Sequence, residues 1–354
     1  MRLKIFYGQS ELKAETNPNV ALPRNIEKVS LAGKRRLLLS DNPETFTENT
    51  FNVARGTLWH DKVSTISQLM SHRVFAWHVN ETGSKIKIGV ILENLNSASL
   101  AIKNFGEVNC ETGSNGDFIS EVGIPLAKAV IDSSLGSLKD VNKCNPNGVS
   151  LIKEYLVPNK TLIGFIHEFD VCTDTNKEMN YIVRVVVSKH EKDDLTTIRD
   201  SPVANDGLHY RGSWEQADML GNTQTYTVGE RLGISISNGV TDNIQIADTS
   251  FDSINATNNP GHYGVIYRLC IPILNPCQNE RTVLIGINPR GGDYAGAVSI
   301  STGNNFKIPI LKTLKSNYAN IMRFVAKPGI SYAELSFMHA GAASLPISIQ
   351  LSTI

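Results

Sequence analysis

The stretch from His262 to Ile300 constrains the fold most. Tyr263, Val265, Tyr267, Leu269, Ile271 and Ile273 recur at every second position, and His262, Gly264, Ile266, Arg268, Cys270 and Pro272 fill the alternate ones. A period of two belongs to a strand with one face in a core, because successive side chains leave a strand on opposite sides. Val283, Ile285 and Ile287 predict a second inward-facing strand. It runs into Asn288, Pro289, Arg290, Gly291 and Gly292, read as a tight structural turn whose glycines supply positive φ. Val298 and Ile300 begin a third strand.

The same order recurs in the first half. Phe75, Trp77 and Val79 alternate, Asn80–Gly83 turns the chain, and Ile86, Ile88, Val90 and Leu92 alternate on the return, with Asn94 in the place of Asn288. This predicts an internal duplication, two related β-domains in tandem. One helix is expected within 119–138, with Pro125 at its start, Leu126, Ala129 and Val130 at helical spacing and Gly136 as its stop. A loop follows at 139–150, around Asp140, Asn142 and Asn145–Gly148, and further strands near 150–157, 161–169 and 181–187. The polar run Lys189–Leu195 marks a domain boundary. Beyond it strands are expected near 225–228, 232–238, 263–273, 281–288, 296–300, 306–311, 319–325, 332–337 and 346–352. The expected fold is all-β: an N-terminal arm (1–34), then two tandem jelly-roll-like β-sandwich domains, 35–190 with one short helix and 195–354.

Function classes are narrowed by what is missing. Lys+Arg and Asp+Glu are each 34, so the formal net charge is zero. Such a chain has no global pull on nucleic acid and little charge repulsion against self-association. No run of about 18 apolar residues predicts a membrane-spanning helix, and the N-terminus lacks the apolar core of a signal peptide. Five cysteines with no CxxC pair disfavour a zinc site, and Cys270 and Cys277 are expected as buried free thiols, with a bridge across a hairpin as the alternative.

Several segments resemble a β-rich family, without an assigned activity, of secreted and envelope proteins of spore-forming Gram-positive bacteria. Its members are often catalogued beside a copper amine oxidase N-terminal-like module. The segments are Leu39–Glu44, Gly56–Asp61, His78–Gly83 with Leu92–Asn94, His209–Gly212, Tyr263–Tyr267, Asn288–Gly292 with Tyr294–Ala297, and Ser344–Ile347. The resemblance implies a non-catalytic surface role. The chain departs from the family in having neither a secretion signal nor the copper-oxidase-like module.

No segment assembles a recognisable catalytic set. Amine oxidase chemistry needs a Thr three residues before the Asn of an Asn-Tyr pair, but Lys177 and Leu314 stand there, and no His-x-His pair exists. The Asn288–Asp293 turn lacks the Lys-Ser/Thr of a phosphate loop. Asp170, Asp174, Asn176 and Glu178 are weak candidates for an oxygen-ligand metal site without the EF-hand glycine, and a solvated hairpin tip accounts for them as well. His60, His72, His78 and His262 lie near aromatics without a nucleophile motif and are expected as satisfied core or strand-edge residues. Trp59 and Trp214 are the candidates for a sugar-stacking face. The sequence therefore predicts a non-enzymatic structural protein, free of cofactors, whose partner is itself in a spore or cell-surface layer. The alternative is a module that binds a glycan or another envelope component through loops at one end of a sandwich.

Overall fold

The computed structural model describes residues 12–17, 19–137, 143–175, 177–313 and 316–354. The start of the arm (1–11) and Pro18, the loop residues Asp140 and Asn142, Asn176 of the candidate metal set and Leu314 lie outside them.

The arm forms β1 (Ala14–Thr16), β2 (Pro23–Asn25) and β3 (Lys28–Ala32). The first half continues with β4 (Arg35–Ser40), β5 (Thr45–Phe46), β6 (Arg55–Thr65), β7 (Leu69–Asn80), β8 (Ile86–Asn94) and β9 (Ala101–Gly113). A π-helical turn (Phe118–Gly123) leads into α1 (Ile124–Ile131), then β10 (Gly136–Ser137), β11 (Val149–Val157), β12 (Thr161–Cys172) and β13 (Met179–Ser188). The second half holds β14 (Arg211–Trp214), β15 (Asp218–Asn222), β16 (Tyr226–Thr227), β17 (Arg231–Ile236), β18 (Ile266–Asn275), β19 (Arg281–Pro289), β20 (Tyr294–Ile300), β21 (Asn305–Leu311), β22 (Asn317–Ala326), β23 (Gly329–His339) and β24 (Ile347–Thr353).

The fold is an all-β sandwich architecture with one short helix. Two sheets of the first half run β10-β9-β12-β7-β4-β14 and β11-β8-β13-β6. Two of the second half run β21-β20-β23-β18-β15-β3 and β1-β22-β19-β24-β17-β2. The orders superpose strand for strand: β9 on β20, β12 on β23, β7 on β18, β4 on β15, and β11-β8-β13-β6 on β22-β19-β24-β17. Strand polarity matches too, for β4 runs parallel to β7 as β15 does to β18. Both aromatic strands end in the same asparagine device. Asn80 donates from Nδ2 to the carbonyls of Ser84 and Val157 and accepts from the Thr82 amide. Asn275 donates to Asn279 and Ala326 and accepts from Cys277. Asn94 and Asn288, matched in the sequence, both donate to carbonyls near the start of the adjacent strand, at Asn145 and Asn317.

The two halves exchange edge strands. β3, from the arm, pairs antiparallel with β15 in the second half's sheet, and β14, from the second half, pairs antiparallel with β4 in the first half's sheet. Only Gly33-Lys34 separates β3 from β4, and only Glu215-Gln216-Ala217 separates β14 from β15. The result is a two-stranded ribbon that crosses from one sandwich to the other, tied at its bend by Ala217 N–H donating to the Arg35 carbonyl at 2.7 Å.

The sheet containing β4 and β7 is buried on both faces. Leu38, Val74 and Ala76 point into the first sandwich's own core, whereas Leu37, Leu39, Phe75, Trp77 and Val79 join α1 and the second half in one continuous core. α1 is shorter than expected: Ser133 at φ +52° ends it, and Gly136 lies in β10 instead of capping it. Asp117 caps the π-turn ahead of it, accepting from the Ile119 and Ser120 amides. The Asn288–Gly292 turn also differs from expectation. Neither Gly291 nor Gly292 has positive φ. Their need for glycine is room, since a Cβ on Gly291 would lie 1.8 Å from the Leu345 carbonyl oxygen. The amides of Arg290 and Gly291 both donate to the Pro346 carbonyl.

Candidate binding groove

Trp59 and Trp214 are fully buried, which corrects their expected role: neither ring offers a face to a sugar. Trp59 Nε1 donates to Ser213 Oγ at 3.0 Å, and Trp214 Nε1 donates to the Ile246 carbonyl at 3.0 Å. Both strands are buried on both faces here, and a tryptophan's polar N–H is compatible with burial once it finds an acceptor. The guanidinium of Arg211 sits 5.0 Å from the Trp59 ring centre and donates to the Asn255 and Val203 carbonyls. Burial lowers its pKa to about 10.

The metal expectation is also not met. Asp170 accepts from Ser71 and Asn104 on neighbouring strands, and Glu178 accepts from Ser64. These hydrogen bonds occupy the two carboxylates separately, and among the described residues no three His, Cys, Asp or Glu side chains gather to hold a metal. All five cysteines are unpaired. Cys270 and Cys277 are half-buried instead of buried, Cys270 because it lies on the outward face of β18 and Cys277 because it lies in a hairpin turn.

The titratable groups closest to a catalytic pattern are sealed. Ser237 Oγ is shared between His262 Nδ1 (2.8 Å) and His339 Nε2 (3.0 Å), and His339 Nδ1 meets the Tyr294 hydroxyl. His262 Nε2 faces the Asp242 main-chain carbonyl, not a carboxylate, and Ser237, both histidines and Tyr294 are all buried. His72 and His78 are buried and hydrogen-bonded, to the Tyr181 hydroxyl and to Ser40 and the Pro43 carbonyl. Loss of hydration holds them neutral, with pKa values lowered to about 3 for His72 and about 4 for His78.

Among the described residues, an open groove of about 720 Å³ lies beside the bend of the crossing ribbon. Lys62, Ser64 and Thr65 of β6 form one wall. Lys34, Arg36, Ser213, Glu215 and Gln216 form the floor, and Thr249, Ser250 and Phe251 form the opposite lip. The lip is pinned to the ribbon, because the Phe251 amide donates to the Ser213 carbonyl and the Ser213 amide donates to Ser250 Oγ. Arg36 is committed to a two-pronged pair with buried Asp61, at 2.7 and 2.8 Å. Burial raises the Asp61 carboxyl's pKa, and the Arg36 guanidinium pulls it back. Phe251 stands 42% exposed with its ring edge-on to His60 at 5.5 Å. None of these groove residues forms a motif in the sequence; loop serines, threonines and lysines look alike whether they line a groove or face open water.

No protein-family model matches the chain, and no curated protein matches it. The family suggested by the sequence therefore remains a resemblance. Similar solved structures include the PBSX exported protein XepA, at 10% identity, 84% of this chain and 85% of that one, with a TM-score of 0.15. Another is the N-terminal CBM22-1–CBM22-2 tandem of Paenibacillus barcinonensis Xyn10C, at 10% identity, 92% and 100% coverage and a TM-score of 0.16. The coconut allergen cocosin matches at 10% identity, 98% and 86% coverage, with a TM-score of 0.14. These TM-scores are too low for the likenesses to carry an argument.

Proposed function

We propose that the protein is a non-enzymatic structural component that works by associating with further copies of itself, in a spore or cell-surface layer. The observation that carries this is an apolar strip on the outward face of the β18–β23 pair. Strand register sets Pro272 opposite Tyr332 and Leu274 opposite Ile330. Ile330 is 62% and Tyr332 59% exposed. A soluble sheet face normally alternates inward apolar with outward polar residues, and a contiguous outward apolar strip marks a surface that meets another molecule. Zero net charge removes long-range repulsion between copies.

Light scattering on the eluting full-length protein at rising concentration tests this. A mass above one chain is expected, and Ile330→Glu with Tyr332→Glu should return a monomer whose melting transition is unchanged. A wild-type protein that stays monomeric throughout, or a double variant that associates equally, overturns the assignment.

A further inference from the structure

We infer that the groove beside the ribbon bend is a binding site for a saccharide chain bearing carboxylate groups, independent of the self-association surface. Three features converge there. Ser64 and Thr249 spend their hydroxyl protons on Glu178 and the Ile246 carbonyl, and Gln216 Nε2 donates to the Gly33 carbonyl, so these three side chains offer acceptor oxygens to sugar hydroxyls while Thr65 keeps its proton to donate. Phe251 supplies an exposed aromatic ring at the lip, the apolar surface on which a sugar's C–H face rests. Lys34 and Lys62 are exposed, and no carboxylate among the described residues lies within salt-bridge distance of either ammonium. Arg36, by contrast, is already matched by Asp61, and the exposed Glu215 carboxylate in the floor offsets one lysine, so one net positive charge carried by Lys34 and Lys62 is left for a ligand.

The walls are prearranged. β6 is held by the whole length of β13, the ribbon by β4–β14 pairing, and the lip by its two hydrogen bonds to Ser213. A ligand therefore meets an ordered surface and loses little affinity to ordering the protein.

Calorimetric titration of the full-length protein with hexagalacturonate, and separately with cellohexaose, decides it. Hexagalacturonate is expected to bind, and more weakly at high salt, with cellohexaose weaker or silent. Phe251→Ala should weaken hexagalacturonate about tenfold, equivalent to ~1.4 kcal/mol. Lys34→Ala with Lys62→Ala should also weaken it about tenfold, as two exposed charge contacts allow. Phe251→Tyr should retain binding, and every variant is first checked for an unchanged melting transition. Binding of neither sugar overturns the site. Equal, salt-independent binding of both overturns the acidic preference. Because Phe251 and the lysines lie away from Ile330 and Tyr332, loss of sugar binding with unchanged association separates this inference from the proposed self-association.

Discussion

Five histidines sit where their charged form has no water: His72, His78, His167, His262 and His339, each buried, and burial lowers the His262 pKa as it does the others'. Burial lowers His72, His167 and His339 to about 3 and His78 to about 4. The sign follows from linkage. An unfolded histidine takes up a proton near pH 6.5, while the folded one refuses it until far lower, so the stability present above pH 6.5 is lost as pH falls from 6.5 towards 4. Each such histidine contributes a slope of about 1.4 kcal/mol per pH unit in that window. Asp41 and Asp61 oppose it, because burial raises their carboxyl pKa values and protonation on acidification relieves them. The five histidine slopes outweigh those of the two buried carboxyls, so the urea midpoint should fall steadily between pH 7 and pH 5. His167→Asn should flatten that dependence, and a midpoint constant over the range contradicts it. Isolated histidines in the sequence do not announce this; only the two-sided burial of their strands does.

Among the elements, β18 is predictable from alternation because a strand with one solvated face writes its period into the sequence, while β8 and β19 keep the period although much of their second face is buried. β4 is harder, since both its faces are buried and Leu37-Leu38-Leu39 reads as an undifferentiated apolar run. β14 and β15 were not foreseen at all: Arg211–Trp214 and Asp218–Asn222 are short, contain glycine and draw their partners from the other end of the chain. The same distance hides the charge clamp between the halves. Arg73 on β7 reaches Glu168 on β12 at 2.6 Å and Asp218 on β15 at 3.2 Å, and donates to the carbonyls of Ala217 and Gly264. Arg73→Met leaves two carboxylates and two carbonyls without their shared cation, a loss of about 3–5 kcal/mol for a broken buried pair. Arg35, 36% exposed beside the same Glu168, is screened by water, so Arg35→Met should cost no more than about 1 kcal/mol. Urea titration of the two variants measures the contrast, and equal losses would refute the clamp.

At the scale of the molecule, tandem duplication and strand exchange have opposite consequences for independence. Matching topologies imply that each half is a complete sandwich plan, yet β3 lies before the first half's strands and completes the second half's sheet, while β14 does the reverse. The shared apolar core joining Phe75 and Trp77 to Val265 and Leu269 adds to the coupling. A fragment spanning 35–190 lacks β14 and bares Leu37, Leu39, Phe75 and Trp77, a face large and apolar enough to drive aggregation. Expressed alone it should be insoluble. Coexpression of 1–204 with 205–354 presents a different case. Each fragment then carries the edge strand the other needs, β3 on the first and β14 on the second, so the pair should co-purify as one complex with a single unfolding transition. Solubility of 35–190 alone with cooperative melting, or failure of the two coexpressed pieces to find each other, would mean that the ribbon and the shared core do not bind the halves into one folding unit.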